Sequence, residues 1–259
     1  MRTALTIAGS DSSGGAGIQA DLKTFAAHGV FGMSAITAVT AQNTTSVIMV
    51  DTLSPEMVVA QIEAVVMDTP PDATKIGMLG TARIVEAVAA AVAHHRLPYV
   101  VLDTVMVSKS HARLLDDNAV AALRDHLIPL AFVITPNVPE AEALTGLTIT
   151  SVADLHRAAV RLVELGARAA LVKGGHLPGP AIDVLWDGAQ AFELGAPRID
   201  SVHTHGTGCT LSSAIAAQLA QGHDLVSACR AAKIYVTDAI AQAPGLGKGA
   251  GPVQHFPNS

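Results

Sequence analysis

The chain has 259 residues, of which 50% are apolar, 15% charged and 3% aromatic, enough aliphatic material for one sizeable α/β core. A net charge of −6, with no Lys/Arg cluster, argues against nucleic acid and anionic membrane as partners. Mean hydropathy is +0.41, yet no apolar run reaches the ~18 residues that a spanning helix needs.

The elements follow in chain order. Met1-Arg2-Thr3 runs straight into an apolar stretch at Ala4, which leaves no room for a signal peptide. Ala4–Ala8 predicts a strand. Ile18, Leu22, Phe25 and Ala26 have helical spacing, closed at Gly29. Ser34–Thr40 and Ser46–Leu53 predict strands, and Ser54-Pro55-Glu56 opens a helix through Met67. Strands over Ala73–Ile76, Tyr99–Asp103, Phe132–Ile134 and Ala169–Lys173 alternate with helices over Thr81–His95, Asn118–Leu127, Val138–Thr145 and Ser151–Leu165. Val184–Trp186 and Gln190–Leu194 flank Asp187-Gly188, a hairpin signal. Gly208–Gln221 and Asp224–Ala243 close the chain as helices. With no linker and no repeat, this alternation predicts one domain over 1–259, a mostly parallel sheet with helices on both faces. Two cysteines, Cys209 and Cys229, make no disulfide framework and suit a reducing compartment, so a cytoplasmic protein is expected.

Ligands of such sheets sit beyond the carboxyl ends of the strands. The chemistry-bearing residues stand there. His205-Gly206-Thr207-Gly208-Cys209-Thr210 carries a glycine-bearing turn into an alanine-rich helix. Free N–H groups at the helix start favour an anion, and the same field predicts a Cys209 thiol below the ordinary ~8.5. The bland alternative is a loop-to-helix junction with a buried cysteine. The Ser/Gly-rich loop from Ser10 to Gly17 suits closure over a small ligand. Its Gly15-x-Gly17-x-x-Ala20 is no dinucleotide fingerprint, because Ala41-Gln42-Asn43, not an acid, follows the second strand.

The Gln42 amide both donates and accepts, which suits a heteroaromatic ring bearing an amino group. Asp103 at a strand end suits a metal or its water, and equally a turn cap. Asn137-x-x-Glu140 has the spacing of a capping box, and the same pair suits ordering water around Mg²⁺ and phosphate. Lys173-Gly174-Gly175 offers a point charge for phosphate before a flexible pair. His203-x-His205 lacks further ligands at zinc spacing.

Taken together, Gly9-Ser10-Asp11 through Gln19-Ala20-Asp21, Thr40-Ala41-Gln42-Asn43, Lys75-Ile76-Gly77-Met78, Leu102-Asp103-Thr104-Val105-Met106-Val107, Thr135-Pro136-Asn137 with Pro139-Glu140, Val172-Lys173-Gly174-Gly175 and the His205–Thr210 turn form an ordered set over nearly the whole chain. The set resembles the hydroxymethylpyrimidine and phosphomethylpyrimidine kinases of thiamine biosynthesis, within the ribokinase-like superfamily. The resemblance implies a three-layer αβα sandwich around a mostly parallel sheet. It implies that ATP, with Mg²⁺, phosphorylates 4-amino-5-hydroxymethyl-2-methylpyrimidine and then its monophosphate, and that the protein is a homodimer.

Residue by residue, the resemblance puts Gln42 and Met78 on the pyrimidine, with Gly9, Asp21 and Val105 lining the same pocket. Asp103 and Glu140 would serve the metal, and Asn137, Lys173 and Thr207 the nucleotide. Cys209 stands where superfamily members carry an aspartate base, with Gly206, Gly208 and Lys173 supplying the surrounding field. His111, His203 and Gly245-Leu246-Gly247-Lys248-Gly249 depart from the family's pattern. A pyridoxal kinase and a non-catalytic pyrimidine-binding sensor are the rival readings.

Overall fold

A computed structural model describes residues 1–106 and 117–257; Val107 and His111 lie outside the described residues. The strands are β1 (Thr3–Asp11), β2 (Phe31–Gln42), β3 (Val47–Thr52), β4 (Ala73–Ile76), β5 (Val100–Leu102), β6 (Val133–Ile134), β7 (Ala170–Val172), β8 (Ala181–Trp186) and β9 (Ala191–Ala196). They form one sheet in the order β3-β2-β1-β4-β5-β6-β7-β8-β9. The run from β2 to β7 is parallel, while β3 at one edge and β8 and β9 at the other are antiparallel.

The helices are α1 (Gly17–Ala27), α2 (Pro55–Asp68), α3 (Ala82–His95), α4 (Asp117–Ala122), α5 (Val138–Thr145), α6 (Val152–Glu164), α7 (Thr207–Ala220) and α8 (Leu225–Ala241). Successive strand residues face opposite sides of the sheet. Leu5, Ile7, Leu102 and Val172 accordingly join one core with residues of α2 through α6. Ala4, Val101 and Leu171 join the other with residues of α1, α7 and α8. Both faces of the central strands are apolar, so both must be covered, and the three-layer arrangement follows. Small residues on α7, among them Ala214, Ala216 and Ala217, are fully buried, which lets this helix lie close against the sheet.

The predicted elements are all present, with shifted ends. The helix expected over Asn118–Leu127 changes its winding instead, widening to a π-helical turn at Leu123–Leu127 and tightening to a 3₁₀ turn at Ile128–Leu130. Pro129 has no N–H to donate and its ring crowds the carbonyl four residues back, so regular α-helix cannot run through it.

Strand order reverses at β1, with β2 and β3 on one side and β4 onward on the other. A crevice opens at the carboxyl ends of strands flanking such a switch point. Gly9, Gln42, Met78, Asp103, Asn137 and Lys173 all lie at that edge of the sheet, at the ends of β1, β2, β4, β5, β6 and β7.

Candidate active site

At the β1–β4 end, a Cβ added to Gly9 would lie 3.2 Å from Met78 Sδ, so the two line one wall. Thr37 Oγ1 donates to the Met78 carbonyl at 2.7 Å and holds that wall in place. Gln42 closes β2 beside it, and Val105, half-buried, follows β5. The loop after β1 is organised by Asp11. Its carboxylate accepts from the N–H groups of Ser13 (2.8 Å), Gly15 (3.1 Å) and Ala16 (2.8 Å), and from His205 Nε2 (2.8 Å). Burial alone would raise its pKa, but the bonds from His205 and Ser13 bring it below the usual carboxylate value.

The start of α7 nests into this loop. Gly206 has φ +81°, and a Cβ there would collide with the Gly15 carbonyl oxygen. Only glycine permits both the left-handed backbone and the close approach. Gly208 faces the other way: a Cβ there would lie 3.3 Å from Lys173 Nζ and 3.7 Å from Asp103 Oδ2. Thr207 Oγ1 donates to the Thr204 carbonyl at 2.7 Å, within its own turn.

Cys209 corrects the expectation of a lowered thiol. It is only half-buried by surface area, but the protein around it desolvates the thiol and pushes its pKa up to about 12. Lys75 and the Gly17 N–H oppose that rise, while Asp103 and Asp21 add to it. Desolvation outweighs the field of the helix start.

Asp21 also differs from the expected pocket lining. Its side chain has no exposed surface. It accepts from Lys75 Nζ at 2.9 Å on each oxygen, from Thr6 Oγ1 at 2.6 Å and from Ser213 Oγ at 2.6 Å. The carboxylate is spent beneath the cleft, tying α1, β1, β4 and α7 together. Burial alone would lower the Lys75 pKa, but Asp21, Cys209 and Asp103 raise it above its ordinary value. Lys75 escaped the sequence reading. The available signal was a lysine inside an otherwise uncharged four-residue strand, where a buried charge must be paired.

On the far side of Gly208, Lys173 Nζ donates to Asp103 Oδ1 at 3.3 Å, and Ser212 Oγ lies 3.3 Å from Asp103 Oδ2. Asn137 and Glu140 form a complete capping box at the start of α5. Glu140 Oε2 accepts from Asn137 N–H at 2.9 Å and from Thr104 Oγ1 at 3.0 Å. Burial raises the Glu140 pKa, Lys173 opposes this, and Asp103 adds to it. Burial alone would lower the Lys173 pKa, but Asp103 and Glu140 bring it above its usual value. The two carboxylates and the lysine thus form one electrostatic unit, and the cap does not exclude a second role. Among the described residues no group of three or more His, Cys, Asp or Glu is placed to hold a metal. Two oxygen-donor acids beside a lysine do fit Mg²⁺, which takes one or two carboxylates and completes its shell with water and substrate phosphate.

His205 is the other residue that sequence reasoning undervalued. Besides Asp11, its Nε2 lies 3.1 Å from the Gln42 amide nitrogen, which joins the end of β2 to the start of α7.

The ADP complex of Bacillus subtilis pyridoxal kinase matches this fold with a TM-score of 0.92 at 42% identity, covering 98% of this chain and 97% of that one. The architecture is that of a ribokinase-like kinase, and the residues described above stand at the carboxyl end of the sheet, where ligands of such sheets sit. The family model described as phosphomethylpyrimidine kinase matches residues 11–254, and the chain belongs to that family. The hydroxymethylpyrimidine/phosphomethylpyrimidine kinase of Synechococcus elongatus is 52% identical over 255 residues, 98% of this chain and 97% of that protein. A thiamine biosynthesis bifunctional protein of Geobacter sulfurreducens is 51% identical over 253 residues, 97% of this chain and 52% of that protein.

Proposed function

We propose that the protein transfers the γ-phosphoryl group of ATP to the hydroxymethyl oxygen of 4-amino-5-hydroxymethyl-2-methylpyrimidine, and a second to the resulting monophosphate, in thiamine biosynthesis. The observation that carries this reading is the position of the α7 start. It stands between a ring-sized wall of Gly9, Gln42 and Met78 and a charged group of Asp103, Glu140 and Lys173. A substrate alcohol on one side and a nucleotide phosphate on the other meet over the start of α7.

Phosphoryl transfer needs charge neutralisation and in-line placement more than covalent help. Lys173 and the helix N-terminus supply positive potential toward the transferring group. Asp103 and Glu140 would hold Mg²⁺, which neutralises charge on the phosphates. Asn137 orients Glu140 through the capping box and holds the edge of the nucleotide site, and Thr207 backs the same turn. With its thiol protonated at neutral pH, Cys209 acts by placing the alcohol, and the loose transition state leaves little need for a strong base there.

Ile48, Met49 and Val50 of the edge strand β3, with Val39 of β2, are exposed. A second copy covering this apolar strip accounts for it, so the working form is a homodimer of one-domain subunits. Among the described residues no helix is long and apolar enough to cross a membrane.

The fold it shares with a pyridoxal kinase leaves the ring to be tested. ADP release is measured with the aminopyrimidine alcohol, its monophosphate and pyridoxal. Turnover of both aminopyrimidines well above pyridoxal is expected. Preference for pyridoxal, or binding of the ring without ADP release, would overturn the reading.

A further inference from the structure

An amide reads a ring by direction: a half-turn of the Gln42 side-chain amide exchanges its donor for its acceptor. Three neighbours decide which way it faces. Asp11 holds an ionised carboxylate that only accepts, so His205 Nε2, 2.8 Å away, carries a proton. The Gln42 amide nitrogen stands 3.1 Å from that same Nε2, a donor set against a donor. At the other end, Gln42 Oε1 is 3.5 Å from Thr40 Oγ1, whose single O–H already goes to the Ser10 carbonyl at 2.9 Å. That hydroxyl has only lone pairs left for Gln42.

One half-turn resolves both contacts. The Gln42 carbonyl then faces the His205 Nε2–H and shares it with Asp11 as a three-centre bond, and its NH₂ turns toward the Thr40 Oγ1 lone pairs. The His205 ring is buried, bonded to Asp11 and packed close to Gly15. A Cβ on Gly15 would lie 2.5 Å from its Cδ2, and its backbone is bonded to Gly251 (3.0 Å) and Val253 (3.3 Å).

We infer that His205 is a positioning residue for substrate specificity: backed by Asp11 and helped by Thr40, it sets the hand of the Gln42 amide. One carbonyl lone pair and one N–H are left for the ligand, in a fixed left–right order. That order suits an amino group next to a ring nitrogen, and a ring without this edge gains nothing from it. The inference rests on the aminopyrimidine reading above.

The test is steady-state kinetics on the aminopyrimidine alcohol and on pyridoxal, with the wild type, His205→Phe, Thr40→Val, Gln42→Leu and the two double variants with Gln42→Leu. His205→Phe keeps a ring in place but removes the donor. It is expected to raise KM for the aminopyrimidine ~5–10-fold, as loss of a partner to a half-buried amide does, with kcat and pyridoxal kinetics changed less than ~3-fold. Thr40→Val, nearly isosteric, shifts KM the same way by ~3–10-fold and keeps the proposal testable if His205→Phe does not fold. In the Gln42→Leu background both effects vanish. Effects that multiply with Gln42→Leu, or that strike both substrates and kcat alike, would overturn the inference and leave the functional reading standing. A wild type that ignores the aminopyrimidine would overturn both.

Discussion

At the residue scale Glu140 carries two roles on one side chain. Its Oε2 closes the capping box, and its charge is coupled to Lys173 and Asp103. A glutamine retains an oxygen that accepts from Asn137 N–H but has no charge to offer a cation. Loss of a cap costs about 0.5–2 kcal/mol, whereas loss of a metal-ordering carboxylate removes transition-state stabilisation. Glu140→Gln is therefore expected to melt within ~3 °C of wild type without nucleotide, while turnover drops by ~10² or more. Added Mg²⁺ restores only part of it. A thermal melt and a Mg²⁺ titration of initial rate check the two halves. A near-normal rate would leave Glu140 a structural cap alone.

At the scale of elements, the junction between the β1–α1 loop and the start of α7 is where geometry is least forgiving. Gly206 has a left-handed backbone and no room for a side chain against the Gly15 carbonyl. Gly222, after α7, has φ +92° but nothing within 4 Å of an added Cβ. Gly222→Ala then meets only the backbone strain, about 1–2 kcal/mol, and keeps its activity. Gly206→Ala meets that strain and a steric clash together. It must push apart the Asp11 loop and the helix that carries Cys209, so its stability falls further and turnover collapses. Urea denaturation and kcat on the two variants, side by side, separate strain from misplacement. Equal activity in both would show that the two loops need not interlock.

At the scale of the whole molecule, one buried ion pair and one buried histidine bind distant segments. Asp21 and Lys75 have fully buried side chains and join four elements around the cleft. Lys75→Met strands a carboxylate in the core, and the expected cost is about 3–5 kcal/mol in urea denaturation. Adding Asp21→Asn removes the stranded charge and should recover most of it. No recovery would mean that Lys75 stabilises by packing.

His255, near the described end of the chain, is buried, its Nε2 has no hydrogen-bond partner among the described residues, and its carbonyl accepts from Tyr235 Oη at 2.5 Å. Burial lowers its pKa to about 4, and Lys23 and His205 push the same way. Its neutral form is the native one. Stability from this group is complete above the unfolded-state value of ~6.5 and is lost as pH falls toward 4. The melting temperature should therefore drop between pH 6.5 and 4, and His255→Phe should flatten that part of the curve. An unchanged slope would place the acid sensitivity elsewhere.

The sequence by itself determined the order and type of nearly every element. Hydrophobic period, caps and glycine stops are local signals, and local backbone energetics answers to them. It also marked Gln42, Asp103 and Lys173, because each stands at a strand end and the fold class sends strand ends to one edge; Asn137 and Glu140 showed by their capping spacing, the Cys209 turn by its glycines before a helix, and Met78 only through the family resemblance. The ends of the helix around Pro129, the ion pair of Lys75 with Asp21, the His205 bridge to Gln42 and the raised thiol of Cys209 were decided only by tertiary structure. Asp21 and Lys75 are 54 positions apart, and His205 and Gln42 are 163 apart. A pKa depends on how much protein surrounds a group in every direction, which neighbours in sequence do not record. Packing across the sheet sets that environment, and it reversed the one electrostatic expectation that rested on a helix start alone.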